Sequence, residues 1–158
     1  MKRNSSLKSI VLIMSICVLL CSCNSSGTIE YYSQKENYIS VTGTVSSIKY
    51  NEEATALYID FSELSSVLDD TCFKIVGENL EIVKANRIDD KLKIGEQITF
   101  VTAPKYFGDG YVMPIVAISI SGENMLDFEE GYKNLLDWLS ECDKGTVLLS
   151  PPEKTNKP

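Results

Sequence analysis

The sequence predicts a mainly β fold, a small five-stranded barrel with one inserted helix and a C-terminal amphipathic helix. Hydrophobic and polar residues alternate over residues 38–50 and again over 57–61, which is typical of half-buried strands. Gly108-Asp109-Gly110 has the composition of a tight hairpin turn. Residues 112–120 then form a continuous apolar run, as expected for a strand that is covered on both faces.

The first predicted strand runs from Tyr38 to Tyr50. Gly43 takes an inward position in this strand, where the missing side chain permits a sharp bend. Residues 51–53 make the next turn, and residues 72–76 form a short third strand. Between them lies the second strand, whose inward residues are Leu57, Ile59 and Phe61 and whose outward residues are Tyr58 and Asp60.

Two helices are predicted from the spacing of apolar residues. The first covers Glu78 to Ile88, and a turn at Gly95 then leads into the fourth strand. Ser121-Gly122-Glu123-Asn124 is expected to end the fifth strand and to cap the last helix, which covers Met125 to Ser140. The apolar stripe of this last helix has helical spacing and consists of Met125, Phe128, Tyr132, Leu135 and Leu139.

The order strand–strand–strand–helix–strand–strand, over residues 38–120, resembles the OB-fold, a five-stranded Greek-key barrel. Two further features are similar to that family: a long first strand with Gly43 at its bend, and a Leu92-x-x-Gly95-Glu96-x-Ile98 approach to the fourth strand. An SH3-like small barrel and an α+β roll are the alternative folds.

The first residues of the chain have the parts of an export signal. Lys2, Arg3 and Lys8 form a cationic start, and an apolar run follows from Ile10 to Leu20. As a helix this run reaches about 16 Å, roughly half of the ~30 Å hydrocarbon core of a bilayer. Such a short run is typical of the hydrophobic region of a signal peptide.

Leu20-Cys21-Ser22-Cys23 resembles the lipobox of bacterial lipoproteins, although Cys21 stands where that family usually has Ala, Ser or Thr. The resemblance implies cleavage before Cys23, lipidation of Cys23, and a location on the extracytoplasmic face of the cell membrane. Several acyl chains make such anchoring effectively permanent. Cleavage after Gly27 by an ordinary signal peptidase and retention as an uncleaved anchor are the alternatives.

The predicted organisation therefore has four parts: a signal peptide over 1–22, a lipidated flexible tether over 23–37, an OB-like domain with its C-terminal helix over 38–142, and a loose tail over 143–158. The tail contains Pro and Lys and has no apolar periodicity.

Charge excludes two classes of partner. Removal of the signal leaves 12 of the 15 basic residues against 22 acidic residues, a net charge of −10. Nucleic-acid binding depends on Lys and Arg that neutralise phosphates, so we expect no nucleic-acid partner. The same charge opposes direct adhesion to anionic lipid, so the membrane partner is expected to be reached through the lipid anchor.

The sequence contains no catalytic motif, and we expect neither an enzyme nor a cofactor. It has no histidine, the commonest general base and zinc ligand, and no metal site is predicted. The paired carboxylates are interpreted as solvated surface and occur at Glu52-Glu53, Asp69-Asp70, Asp89-Asp90 and Glu129-Glu130. After loss of the signal, Cys72 and Cys142 remain besides the anchor, and they are either a disulfide pair or two buried thiols.

The function that remains is binding. OB-folds usually bind ligands on the face of strands two and three, so the resemblance implies a face that includes Tyr58 and Asp60. Tyr106, Phe107 and Tyr111 would flank it on one side, and Tyr50, Glu52 and Glu53 on the other. Aromatic rings beside carboxylates suit a protein, a cationic peptide or a glycan. Alternatively, the aromatic residues of 106–111 only cover the barrel end and pack on the last helix, and Trp138 is a core or helix–barrel contact.

The sequence thus predicts a lipoprotein with a non-catalytic binding or interaction module. Two alternative functions stay open: a structural envelope component that scaffolds a protein complex, and an accessory domain of a cell-wall hydrolase.

Overall fold

One mainly antiparallel sheet organises the molecule in the computed structural model, which describes residues 26–66, 68, 71–105 and 112–143. Strands follow the alternating and apolar segments of the sequence, and helices pack around the sheet. In chain order the elements are α1 Ser26–Tyr32, a 3-10 turn Lys35–Asn37, β1 Ile39–Tyr50, β2 Ala56–Leu64, β3 Cys72–Val76, α2 Gly77–Ala85, α3 Ile88–Lys91, β4 Gln97–Thr102, β5 Met113–Ile120, β6 Glu123–Leu126 and α4 Phe128–Asp143.

The sheet has the strand order β3-β2-β1-β4-β5-β6, and all neighbours in this order are antiparallel. A further pairing joins β3 to β5 in parallel, with Phe73 opposite Met113 and Lys74 opposite Pro114. The pairings therefore run from β3 through β2, β1, β4 and β5 and back to β3. The prediction of a mainly β fold is confirmed.

Strand β1 pairs with two neighbouring strands. Its first half pairs with β4 and its second half with β2, and the β1–β2 register shifts on both sides of Val45. Gly43 lies at the change of partner, where an added Cβ would approach the Phe61 ring to 2.7 Å and Leu64 to 2.8 Å. Glycine is needed here because two large side chains fill the inside of the bend.

The interior of the sheet is apolar. Phe61 and Phe100 stack with ring centroids 4.5 Å apart, and the Phe73 ring meets Phe100 edge-on at 4.7 Å. Around this aromatic centre, which we call the interior core, lie aliphatic residues of the strands and of α2 and α3, among them Val41, Val45, Leu57, Ile59, Ile75, Leu80, Val83, Ile88, Ile98, Ile115 and Ile118.

The prediction of one continuous helix over 78–88 is wrong at its C-terminal end. Helix α2 ends at Ala85, and Arg87 adopts a left-handed backbone with φ of 53°. Helix α3 then starts at Ile88, whose side chain is buried in the interior core. The break turns the chain so that Ile88 reaches the core, a requirement of packing that helical periodicity does not reveal.

A second difference concerns residues 121–126. Ser121 and Gly122 both have positive φ, 52° and 82°, as a tight hairpin turn requires. The chain therefore continues into strand β6 instead of entering the last helix at Met125. Helix α4 begins at Phe128, and its cap is Asp127, whose Oδ1 accepts hydrogen bonds from the Glu129 and Glu130 amides at 2.9 and 3.3 Å.

The segment before β1 also differs from the prediction of a flexible tether. Residues 26–37 carry helix α1 and the 3-10 turn, and the Tyr32 side chain is completely buried. Its hydroxyl donates a hydrogen bond to the Lys105 carbonyl. The predicted lipobox, the Gly108-Asp109-Gly110 turn and residues 144–158 of the predicted tail lie outside the described residues, whereas Asp143 ends α4.

Candidate functional site

The predicted ligand face begins on the outward side of β2. Tyr58 lies there opposite Lys74 of β3, and Asp60 lies opposite Cys72 at the other end of the pairing. Tyr58 is half-buried and Asp60 is partly exposed. Tyr106, Phe107 and Tyr111 lie outside the described residues, so the structure brings together only the strand part of the predicted face.

Lys74 is the unexpected residue of this face. Its side chain is only 7% exposed, which is rare for a lysine. Its Nζ lies 5.8 Å from the Tyr58 ring and 5.8 Å from the Trp138 ring, within the range of cation–π attraction. Burial lowers the pKa of this ammonium group, while the nearby Cys142 opposes that shift. The ammonium group is thus held in an aromatic setting beneath α4.

Helix α4 covers this part of the face and approaches neighbouring elements very closely at two glycines. An added Cβ on Gly131 would overlap the Val116 carbonyl of β5, and one on Gly77 would lie 2.7 Å from the Trp138 ring. The buried Asn79 amide donates to the Gly131 carbonyl at 2.8 Å, and the Asn134 amide donates to Asn79 Oδ1 at 3.1 Å. Two close approaches at glycines and the hydrogen bonds of the buried Asn79 side chain make α4 an integral part of the domain.

The two cysteines of the domain are present as thiols, and both are half-buried. Cys142 lies in the last turn of α4, and burial raises the pKa of its thiol.

The other predicted flank contains Tyr50. Its hydroxyl donates to Asp89 Oδ2 at 2.7 Å, which ties the end of β1 to α3. Burial, then the hydrogen bond to Asp89 and the nearby carboxylates, raise the pKa of Tyr50 to about 12. Glu52 and Glu53 are exposed in the turn that follows. Tyr50 thus has a structural role, and the two glutamates remain available to a partner.

A shallow groove lies on another part of the surface, with a volume of about 270 Å³. It crosses the outward face of β1, β4 and β5 and ends at the start of α4. The Thr42 and Thr99 hydroxyls on this face lie 3.1 Å apart in a hydrogen bond. Its lining mixes hydroxyl and amide groups with apolar ones and includes Ser40, Thr99, Val101, Ser119, Asn124 and Phe128.

Within the described part of the chain, no cluster of three or more Cys, Asp or Glu side chains has the arrangement of a metal site. None of the described helices combines the length and the hydrophobicity that a transmembrane span requires.

Comparison with known proteins adds no relative: no family model, curated protein or solved structure matches this chain. The site must therefore be judged on its own residues. Lys74 could have been noticed in the sequence, because it stands in a short strand beside Phe73 and Ile75. The packing of Trp138 over Lys74 could not have been noticed in the sequence, since the two residues are 64 positions apart.

Proposed function

We propose that the chain is a bacterial lipoprotein, held on the extracytoplasmic face of the cell membrane by acyl chains on Cys23, whose domain is a non-catalytic interaction module. The observation that carries this proposal is the position of helix α1. Its described residues follow Cys23 by three positions, and Tyr32, nine positions after Cys23, is completely buried on the domain. Packed structure is thus present within nine residues of the proposed lipidation site, which supports a mature chain that starts at Cys23.

The same helix bears on the alternative cleavage site. Cleavage after Gly27 would cut inside α1, which spans Ser26–Tyr32, and would remove part of its first turn. Cleavage before Cys23 keeps all the described residues of the helix. The position of α1 therefore favours the lipoprotein over the secreted form.

We further propose that the strands form an OB-like barrel. Support comes from the closed circuit of pairings through β3–β5, from the division of β1 between β4 and β2, and from the helix between β3 and β4. The bend at Gly43 lies where β1 changes partner. The helix between β3 and β4 and the bend at Gly43 are features on which the sequence resemblance also rested.

Within this fold, the contacts favour a macromolecular partner over a small ligand. Helix α4 covers Tyr58 and Lys74, which occupy the middle of the face where OB-folds usually bind. Asp60, Glu52 and Glu53 stay accessible at its edges. An acidic edge around a closed centre suits a cationic peptide segment of a protein partner, with Tyr106, Phe107 and Tyr111 as proposed contributors. This is also the arrangement that the scaffold function requires.

The anchor is tested by intact-mass measurement of the protein extracted from membranes. Wild type and Cys21→Ala, the matched control, are expected to carry the acyl mass on a chain that begins at residue 23. Cys23→Ala is expected to lose both the acyl mass and the membrane fraction. An acylated Cys23→Ala protein, or a mature chain that begins at Thr28, would overturn the proposal.

The interaction surface is tested by thermal shift with cationic peptides and neutral wall glycans. Peptides are expected to raise Tm, and Asp60→Asn combined with Tyr106→Ala is expected to abolish the shift. Asp137→Asn, which changes an exposed carboxylate on α4, is the control and should leave the shift unchanged. A shift caused by glycans alone, or one that survives the double substitution, would contradict the proposed surface.

A further inference from the structure

The domain is joined to its proposed anchor, Cys23, by a very short link. Between Cys23 and Ser26 there are three Cα–Cα steps, which span at most about 11 Å in any conformation. A compact domain of about 100 residues has a radius of gyration of about 13 Å. The covalent link from a lipidated Cys23 to the domain is therefore shorter than the domain's own radius.

Helix α1 does not supply extra length, because it is fastened to the domain at both its middle and its end. Tyr32 is buried and bonded to the Lys105 carbonyl, and the Tyr132 hydroxyl donates to the Ser33 carbonyl at 2.7 Å. Lys35 forms an ion pair with Glu129 and lies 5.1 Å from the Tyr132 ring. These contacts join α1 to α4 and to the end of β4.

Two residues that follow α1, Asn37 and Tyr38, reinforce this attachment. The Tyr38 hydroxyl donates to the Tyr32 carbonyl at 3.0 Å, and its ring meets Phe128 and Tyr132 edge-on at 5.6 and 5.5 Å. The Asn37 side chain donates to the Tyr31 carbonyl at 2.8 Å. Detachment of α1 would break the hydrogen bonds to the Tyr31 and Tyr32 carbonyls and expose the Tyr32 ring.

We propose that the domain lies directly on the surface of the lipid bilayer in one fixed orientation, with α1 and the adjoining part of α4 as its membrane-proximal side. This inference rests on the proposed lipidation of Cys23. The headgroup layer is about 6 Å thick on each side of the hydrocarbon core, so a link of ~11 Å holds α1 against the headgroups. The acidic domain is kept at a surface that its net charge alone would avoid.

The experiment uses the only tryptophan of the chain, Trp138 on α4, as an energy donor. Acylated protein is reconstituted in phosphatidylethanolamine–phosphatidylglycerol vesicles that contain a dansyl-labelled headgroup lipid. A second protein carries twenty Gly and Ser residues between Ser25 and Ser26, a flexible length of about 25 Å. The control carries the same insertion between Glu53 and Ala54, in the exposed turn after β1.

Wild type and the control insertion are expected to show equal and strong energy transfer, and the insertion before α1 is expected to reduce it at least threefold. Equal transfer in all three proteins, when each is acylated and sediments with the vesicles, would overturn the fixed orientation alone. Proteins that carry no acyl chain and do not sediment would overturn the proposed lipidation and this inference with it.

Discussion

The interior core and the cluster on the outside of the sheet, which we call the outer cluster, both consist of buried residues, but they differ in amino-acid composition. Phenylalanines and aliphatic residues of consecutive strands form the interior core. The outer cluster contains Tyr32, Leu135 and Leu139, with Tyr38, Tyr58 and Trp138 at its border, and it joins the N-terminal helix to the C-terminal one. The rings of Tyr32 and Tyr38 pack in this cluster, and their hydroxyls donate hydrogen bonds to backbone carbonyls.

This difference separates the contacts that stabilise the domain as a whole from the contacts that attach its terminal helices. The interior core closes the sheet, so its loss should unfold the domain. The outer cluster fastens α1 and α4, so its loss should first release those helices. Four predictions test this distinction, in order of decreasing effect.

Phe100→Ala should have the largest effect. The ring packs between Phe61 and Phe73 and is 1% exposed, so its removal leaves a cavity at the centre of the sheet. We expect a loss of about 3–5 kcal/mol in the free energy of unfolding, measured by denaturant titration with circular dichroism. Ile94→Ala is the control because Ile94 is 72% exposed. Equal stability of the two variants would contradict the packing.

Gly131→Ala should be next, because the new methyl group would overlap the Val116 carbonyl and displace α4. We expect a loss of about 2–3 kcal/mol together with a red shift of the Trp138 fluorescence. Gly95→Ala makes the same change at a turn where an added Cβ has open space, and the left-handed backbone alone should cost about 1 kcal/mol. If the two variants unfold alike, α4 does not depend on this close approach.

Tyr32→Ala should act locally. It removes a buried ring from the outer cluster, but the interior core stays complete, so we expect a loss of about 2 kcal/mol. Trypsin should then cut after Lys35 at least tenfold faster, because α1 and the 3-10 turn separate from α4. Glu30→Ala, an exposed position on the same helix, is the control. A cleavage rate unchanged from wild type would show that α1 is held by other contacts.

Alkaline pH should weaken the outer cluster selectively. Burial raises the pKa of Tyr32 and of Tyr38 well above the usual value. These phenols ionise in the unfolded chain first, so their contribution to stability is complete below about pH 10 and declines above it. The lowered pKa of Lys74 acts in the opposite direction, since its burial becomes easier as pH rises toward its ordinary pKa.

We expect the free energy of unfolding to fall above about pH 10, by up to about 1.4 kcal/mol per pH unit for each tyrosine. Denaturant titrations at several pH values measure this slope. Tyr32→Phe combined with Tyr38→Phe should reduce the slope, whereas Phe100→Leu should not. A slope that survives the double substitution would assign the alkaline sensitivity to another group.

Local pattern predicted β1 to β5 because each has its own alternation or apolar run, whereas β6 was not predicted. The helix over 78–88 and the start of the last helix were predicted imperfectly, since Arg87 and the Ser121-Gly122 turn depend on backbone angles. The site was the least predictable part. Tyr58 was assigned correctly to the outward side of β2, yet the sequence contains no sign that Trp138 covers it or that Lys74 is buried beside it.

The sequence by itself determined a mainly β domain and the glycine at the bend of β1, because alternation, turn residues and a missing side chain are local properties. It also contains Leu20-Cys21-Ser22-Cys23, whose resemblance to a lipobox leads to the proposed anchor. Only the tertiary structure decided that the segment after the lipobox folds back onto α4 and that α4 covers the centre of the predicted face. Both depend on contacts between residues about 50 to 100 positions apart, such as Tyr32 with Lys105 and Asn79 with Gly131, which no local pattern contains.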